Sequence, residues 1–344
     1  MKKFLLLALF QPAILSILGQ QPEINFEHLS VQQGLADQQI NCIIQDHSGF
    51  IWIGGINGLY KHNGYDFTFF EELPDCRICN PFNFIHAMLE DGLGLLWTYS
   101  AEGISLFDPE IEKSLLVDPF VWDTAHEDVN VNYTMLRDIV GNIWASNQTG
   151  LVKISYKENI KMPVTKETIF NGGAKSIFNI ETIQLSSHQY SPDNSVMSLN
   201  EDDQGNIWAG CAEGLYVLRK GDHSFVRMDQ GANKGTQQAI QGISKVLQID
   251  ENAYWIAAVK GLYLLTNVKM ALRDSIPDNL LLHFSLKPVI GRQCIYSLSI
   301  DRNKNILLGA DKEIYLIKRD DKTGEVTFES ITTARESTVL TAVD

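Results

Sequence analysis

Two groups of residues in this chain combine side chains and spacing that could do chemistry. The first is an Asp that recurs at Asp46, Asp91, Asp138, Asp202 and Asp250, each followed at short range by Trp52, Trp97, Trp144, Trp208 and Trp255. Carboxylates brought within about 5 to 10 Å of each other could act as the acid and base of a glycosidase. The second is Cys76-Arg-Ile-Cys79, which has the CxxC spacing of a redox or zinc site. Zinc needs about four ligands, and no second CxxC or spaced His pair is present, so a local disulfide or two loop thiols is the better reading. Cys42, Cys211 and Cys294 read as small buried apolar residues, and five cysteines are too few for a disulfide framework. No Gly-x-Ser-x-Gly, His-Glu-x-x-His or phosphate-cradling Gly-rich motif occurs. No cofactor and no metal is therefore expected.

The carboxylates gain a different meaning from the elements that must hold them. They belong to one motif: Asp, two residues, Gly, two residues, Trp, and six residues later Gly-Leu or Gly-Ile. It reads Asp46, Gly49, Trp52 and Gly58, then Asp91, Gly94, Trp97 and Gly103. The third copy is Asp138, Gly141, Trp144 and Gly150, and the fourth is Asp202, Gly205, Trp208 and Gly214. A fifth copy, Asp250 to Trp255 with Gly261, has lost one residue and the turn Gly. In the sixth, Leu307 replaces Trp and Glu313 stands at the Gly position. Intervals of 45, 47, 64, 47 and 52 residues separate the Trp positions, a period that means a repeat architecture. Each copy has an apolar run before the Asp, an Asp-x-x-Gly turn, a strand carrying the Trp, and a third strand after the second Gly. Asn63-Gly64 turns the first copy into a fourth strand.

Four short antiparallel strands in about 45 residues make a propeller blade with the Trp packed between neighbours. The expected fold is all-β: a β-propeller with blades near 38–72, 83–120, 130–170, 194–230, 241–286 and 293–330, and the first strand of a seventh at 337–344. Asn171 to Asp193, which lengthens the third interval, reads as an inserted loop, and Ile24 to Leu29 as a strand that could complete the last blade. With six blades and a stray strand the ring is expected to be open or imperfectly closed. Repetition at equivalent positions is what packing requires and catalysis does not, so each motif Asp, Gly and Trp is scaffold.

At the other extreme of the chain, Lys2 and Lys3 precede an apolar run from Phe4 to Leu18, interrupted by Pro12. This pattern predicts a cleaved export signal over residues 1–20, with the propeller domain over 21–344, because a membrane span needs about 20 apolar residues. The formal net charge is −14, which disfavours nucleic acid and other polyanions as partners of this segment.

Phe26-Glu-His-Leu-Ser30, Gly34-Leu35, Gly49-Phe-Ile-Trp-Ile-Gly54, Gly58-Leu59 and Gly64-Tyr65 closely resemble the opening of the two-component regulator propeller family. The likeness runs from about Phe26 to the end and is strongest in the first four copies. The resemblance implies the periplasmic sensor of a hybrid two-component system. In that family an immunoglobulin-like domain, a transmembrane helix and a histidine kinase or DNA-binding output follow. A fragment of such a receptor, which would be a membrane-anchored homodimer, is therefore expected. The resemblance also suggests saccharides as ligands.

Ligands of a propeller are expected at the channel mouth, on loops that enter the inner strands and on turns between second and third strands. These supply Asp37, Gln38, Arg77, Asn80, Asn130 and Gln238 from the entering loops, and Asn57, Glu102, Gln148, Glu213 and Lys260 from the turns. Their amides and acids suit an oligosaccharide or other small polar ligand, and equally suit ordinary solvated turns. Trp122, the one Trp outside the motif, could stack on a sugar ring or pack on an outer strand. The alternatives are an exported protein-interaction platform and a propeller carbohydrate-active enzyme, for which Glu90, Glu201 and Asp203 lie at the wrong ends of their strands.

Overall fold

The computed structural model describes residues 29–37, 39–70, 82–119, 133–160, 163–185, 194–228, 240–266, 268, 272, 285–291, 294–300, 305–310, 314–319 and 326–330. The export segment, most of the Ile24 to Leu29 strand, the Cys76–Cys79 pair, Trp122 and the strand at 337–344 lie outside the described residues.

Six four-stranded antiparallel sheets follow one another along the chain, each ordered sequentially from its first strand to its fourth. Blade 1 holds β1 (Ile40–Gln45), β2 (Ile51–Gly55), β3 (Leu59–His62) and β4 (Phe67–Phe70). Blade 2 holds β5 (Ala87–Glu90), β6 (Leu96–Ser100), β7 (Gly103–Asp108) and β8 (Lys113–Pro119). Blade 3 holds β9 (Met135–Arg137), β10 (Ile143–Asn147), β11 (Gly150–Tyr156) and β12 (Phe178–Ile183), with α1 (Lys166–Gly172) and α2 (Ala174–Ile177) before the last strand. Blade 4 holds β13 (Val196–Glu201), β14 (Ile207–Cys211), β15 (Gly214–Leu218) and β16 (Val226–Arg227). Blade 5 holds β17 (Ile243–Asp250), β18 (Ala253–Ala258), β19 (Gly261–Thr266) and β20 (Ser285–Gly291). Blade 6 holds β21 (Ile295–Ile300), β22 (Ile306–Ala310), β23 (Ile314–Arg319) and β24 (Val326–Ser330). First strands of consecutive blades pack on one another from β1 through β21.

Blade 3 corrects the expected inserted loop. Its outer strand is β12, paired along its whole length with β11, inside the stretch read as loop. The extra residues are instead the segment that carries α1 and α2, and they enter between the third and fourth strands. Thr165 caps α1, and Ile169 and Ile177 bury the short helices against blades 2 and 3.

The motif Asp uses both oxygens. In blade 1, Asp46 Oδ1 accepts the Ser48 and Phe50 amides at 3.0 and 2.9 Å while Gly49 takes a φ of 91°. Its Oδ2 accepts the Trp52 indole N–H at 2.8 Å. The same bond joins Trp97 to Asp91 at 3.1 Å, Trp144 to Asp138 at 2.9 Å and Trp208 to Asp202 at 2.9 Å. In the shortened fifth turn Asp250 caps the Asn252 amide, and the buried Trp255 indole N–H has no acceptor among the described residues. Each ring packs into the next blade: Trp52 lies among Ile85, Leu96 and Phe107, and Trp255 among Ile295, Leu298 and Leu308.

A second contact sets the distance between blades. Asn41 Nδ2 donates to the Ile85 carbonyl at 2.8 Å, Ser198 Oγ to that of Ile243 at 3.0 Å, and Ser244 Oγ to that of Ile295 at 2.6 Å. The same isoleucines press on the residue two after the Trp, where a Cβ on Gly54 would lie 2.6 Å from Ile85 Cγ2. The leading face of blade 1 carries its own small cluster, Leu35, Ile53 and Tyr60. No described residue of blade 6 joins it.

Candidate functional site

Antiparallel order puts the Asp-x-x-Gly turns at one end of the propeller, and the loops entering the inner strands and the turns after each second strand at the other. This second, mouth end is where ligand contacts are expected. Of the expected residues, Gln38, Arg77, Asn80, Asn130 and Gln238 lie outside the described residues. Two of the remainder are brought into contact. Asp37, 6% exposed, accepts the Asn57 amide at 3.1 Å through Oδ2, and Asn57 Nδ2 through Oδ1. Asp37 thus clamps the turn after β2.

The others make separate contacts. The Glu102 amide bonds Ser100 Oγ at 3.2 Å, Gln148 is buried at 5% exposure, and the Glu213 carbonyl accepts Arg227 Nη2. Lys260 Nζ donates to Gln241 Oε1 at 2.9 Å.

The mouth end also carries an aromatic group that the sequence did not point to. His86, entering β5, stacks face to face on Tyr133, entering β9, with centroids 3.6 Å apart and planes 6° from parallel. Phe84 sits 4.7 Å from His86 and holds a φ of 56°, in the left-handed region a bulky residue avoids. Tyr99 stands where blades 1 and 4 have Gly54 and Gly210. Its ring meets Tyr133 edge-on at 4.9 Å, and its hydroxyl donates to the Ser146 carbonyl at 2.6 Å. Burial pushes the His86 imidazole down to about 4, so it is neutral at pH 7. Burial also raises Tyr133 and, with help from the Tyr133 and Asp118 charges, Tyr99. Asp118 is itself raised by burial. The His86, Tyr99 and Tyr133 rings are uncharged at pH 7 and offer ring faces with a few polar tips. One signal could have found it: aromatics at the starts of two consecutive inner strands, with Tyr in place of the motif's small residue between them.

At the turn end the acids that flank the motif serve as inter-blade ties. Glu90 Oε2 accepts the His47 amide at 2.8 Å and its Oε1 meets His47 Nδ1 at 2.5 Å. Glu201 Oε2 accepts the Ile139 amide at 2.6 Å, and Gln248 Oε1 accepts that of Asp203 at 2.8 Å. In each case the end of one inner strand caps the turn of the blade before it.

Residues 34–57 and 190–213 match the family model described as the two component regulator propeller. No curated protein matches the chain. Among solved structures it is similar to the extracellular domain of BT4673 from B. thetaiotaomicron, described as a hybrid two component system, at 18% identity and a TM-score of 0.58, over 90% of this chain and 35% of that one. The corresponding domain of BT3049 from the same organism gives 16% identity and a TM-score of 0.60, over 90% and 37%. Virginiamycin B lyase from Staphylococcus aureus gives 11% identity and a TM-score of 0.55, over 87% and 86%. At these identities the likeness is one of fold. The chain spans about a third of the length of the two B. thetaiotaomicron domains.

Proposed function

We propose that this chain, which carries two component regulator propeller repeats in blades 1 and 4, is the ligand-sensing propeller of an extracytoplasmic receptor. The ligand is an oligosaccharide or another small polar molecule, taken at the mouth end over blades 1 to 3. The observation that carries the reading is the family repeat. Its two matches begin 12 residues before Asp46 and Asp202 alike. The likeness to extracellular sensor domains supports the same class.

The aromatic group supports the choice of ligand. A neutral imidazole stacked on a phenol offers apolar ring surface with polar edges, which suits an uncharged hydroxylated body better than an ion. The strained Phe84 backbone, a feature that clusters at ligand sites, lies beside it. Asn57, Glu102 and Gln148, on the turns of the same three blades, are the polar contacts of this reading, with Arg77, Asn80 and Asn130 from the entering loops. In the full receptor the propeller would be periplasmic and part of a membrane-anchored homodimer that drives a kinase or transcription-factor output.

Calorimetry with a panel of neutral oligosaccharides tests the reading. A saturable heat that His86→Ala weakens at least tenfold is expected. Release of reducing ends would replace the sensor by an enzyme. Absence of binding, together with a protein partner retained on the immobilised propeller, would replace it by an interaction platform.

A further inference from the structure

The inter-blade ties at the turn end follow a rule that one junction breaks. The residue just before the turn Asp in blades 2 and 4 is Glu90 and Glu201, and in the shortened turn of blade 5 Gln248 plays the part. Each accepts the amide of the residue after the preceding blade's Asp. Between blades 2 and 3 the equivalent pair is Arg137 and Gly92. A guanidinium has no acceptor, so it cannot tie the Gly92 amide. The guanidinium still lies there: a Cβ on Gly92 would sit 3.0 Å from Arg137 Nη2.

A cleft of about 280 Å³ opens at this junction, lined by Gly92, Leu93, Arg137, Val140, Tyr156 and Val164 among others. Among the described residues Arg137 makes no ion pair, Tyr156 no side-chain hydrogen bond, and the Gly92 amide no hydrogen bond. Asp91, also on the rim, forms no ion pair with Arg137. Its oxygens are taken by the Leu93 and Leu95 amides and the Trp97 indole.

We propose that this cleft binds an organic carboxylate with an apolar body. The carboxylate occupies the place that the Glu side chain holds at the neighbouring junctions. One oxygen accepts the Gly92 amide and the other the Arg137 guanidinium, with the Tyr156 hydroxyl as a further donor. The hydrocarbon lies on Leu93, Val140 and Val164, and Val140 is 76% exposed without it. A charge-assisted pair between a guanidinium and a carboxylate is about twice as strong as a neutral hydrogen bond. The site lies at the opposite end of the propeller from the mouth and does not depend on the sensor reading.

The test is calorimetry with phenylacetate against its neutral isostere phenylacetamide, together with the amide NMR signal of Gly92. We expect one phenylacetate per chain with the Gly92 resonance shifted, and phenylacetamide at least tenfold weaker. Arg137→Glu rebuilds the tie found at the neighbouring junctions, so it abolishes binding without lowering the melting temperature. Arg137→Gln keeps an acceptor without the new charge, and abolishes binding in the same way. Equal binding of acid and amide, retained binding in both variants, or no binding to the wild-type chain at millimolar phenylacetate would each overturn the proposal. The mouth-end reading would stand in any of these cases.

Discussion

A buried carboxylate that satisfies several donors is costly to remove, and the motif Asp residues differ in how many they satisfy. Asp202, 4% exposed, accepts the Gln204 and Asn206 amides, the Trp208 indole and the Tyr254 hydroxyl of the next blade. Asp202→Ala leaves the Asn206 amide, the Trp208 indole and the Tyr254 hydroxyl buried without this acceptor and is expected to cost about 3 kcal/mol. Asp250→Ala, at the turn that lost its indole bond, is expected to cost about 1 kcal/mol by the same reasoning; chemical denaturation of the two variants checks the difference. His86 adds a pH dependence of known sign. Its folded value of about 4 lies below the unfolded 6.5, so between those values the unfolded chain binds the extra proton. Its contribution to stability is therefore complete above pH 6.5 and declines as pH falls toward 4. His47, raised by its hydrogen bond to Glu90, works in the opposite direction: its contribution is present at low pH and lost as pH rises through its folded value. The difference in melting temperature between wild type and His86→Phe should change over pH 4 to 6.5 and be flat above it.

Elements here are held by small residues and by ties across blades. Gly210 approaches Ile243 and Ser198 so closely that a Cβ collides with both, so Gly210→Ala is expected to destabilise by about 1 to 3 kcal/mol through overpacking. Gly141 has open space around it, and Gly141→Ala is expected to cost about 1 kcal/mol from its φ of 96° alone. Thermal unfolding of the pair separates packing from backbone strain. The helical segment of blade 3 is tied back to blade 2 by Lys166, whose Nζ lies 3.2 Å from Asp108 Oδ1 and 3.0 Å from Glu110 Oε2. Asp108 is 1% exposed, and Lys166→Met, which removes its cation, is expected to cost about 1 to 2 kcal/mol on denaturant unfolding. That segment was also the element least legible in the sequence. The Trp motif marks the first three strands of a blade, and in blade 3 nothing like the Asn63-Gly64 turn of blade 1 marks the fourth. Phe178–Ile183 shows little of a buried run because most of its residues are exposed, and Asn171-Gly-Gly before it reads as loop.

At the scale of the molecule, the propeller was legible because the blades repeat one local solution with few departures: a capped turn and a buried Trp, with a small residue behind it in most copies. What the sequence concealed arises only between blades. Glu90 and Glu201 read as turn acids until the neighbouring amide is seen. His86 and Tyr133 are 47 residues apart, and each alone reads as an ordinary residue at a strand entrance. Asp37 and Asn57 were legible as mouth-end residues, but not as partners of each other.

The central proposal divides the two ends: turn-end ties hold neighbouring blades together, and the mouth end is proposed to take the signal. Hydrogen-exchange mass spectrometry of the propeller with and without a bound neutral oligosaccharide tests it most directly. Protection is predicted in the peptides that carry Phe84 to Ala87, Tyr99 to Glu102 and Tyr133 to Thr134, with the turns at 46–50, 138–142 and 202–206 unchanged. Protection confined to those turns, or none at saturating ligand, would contradict the account.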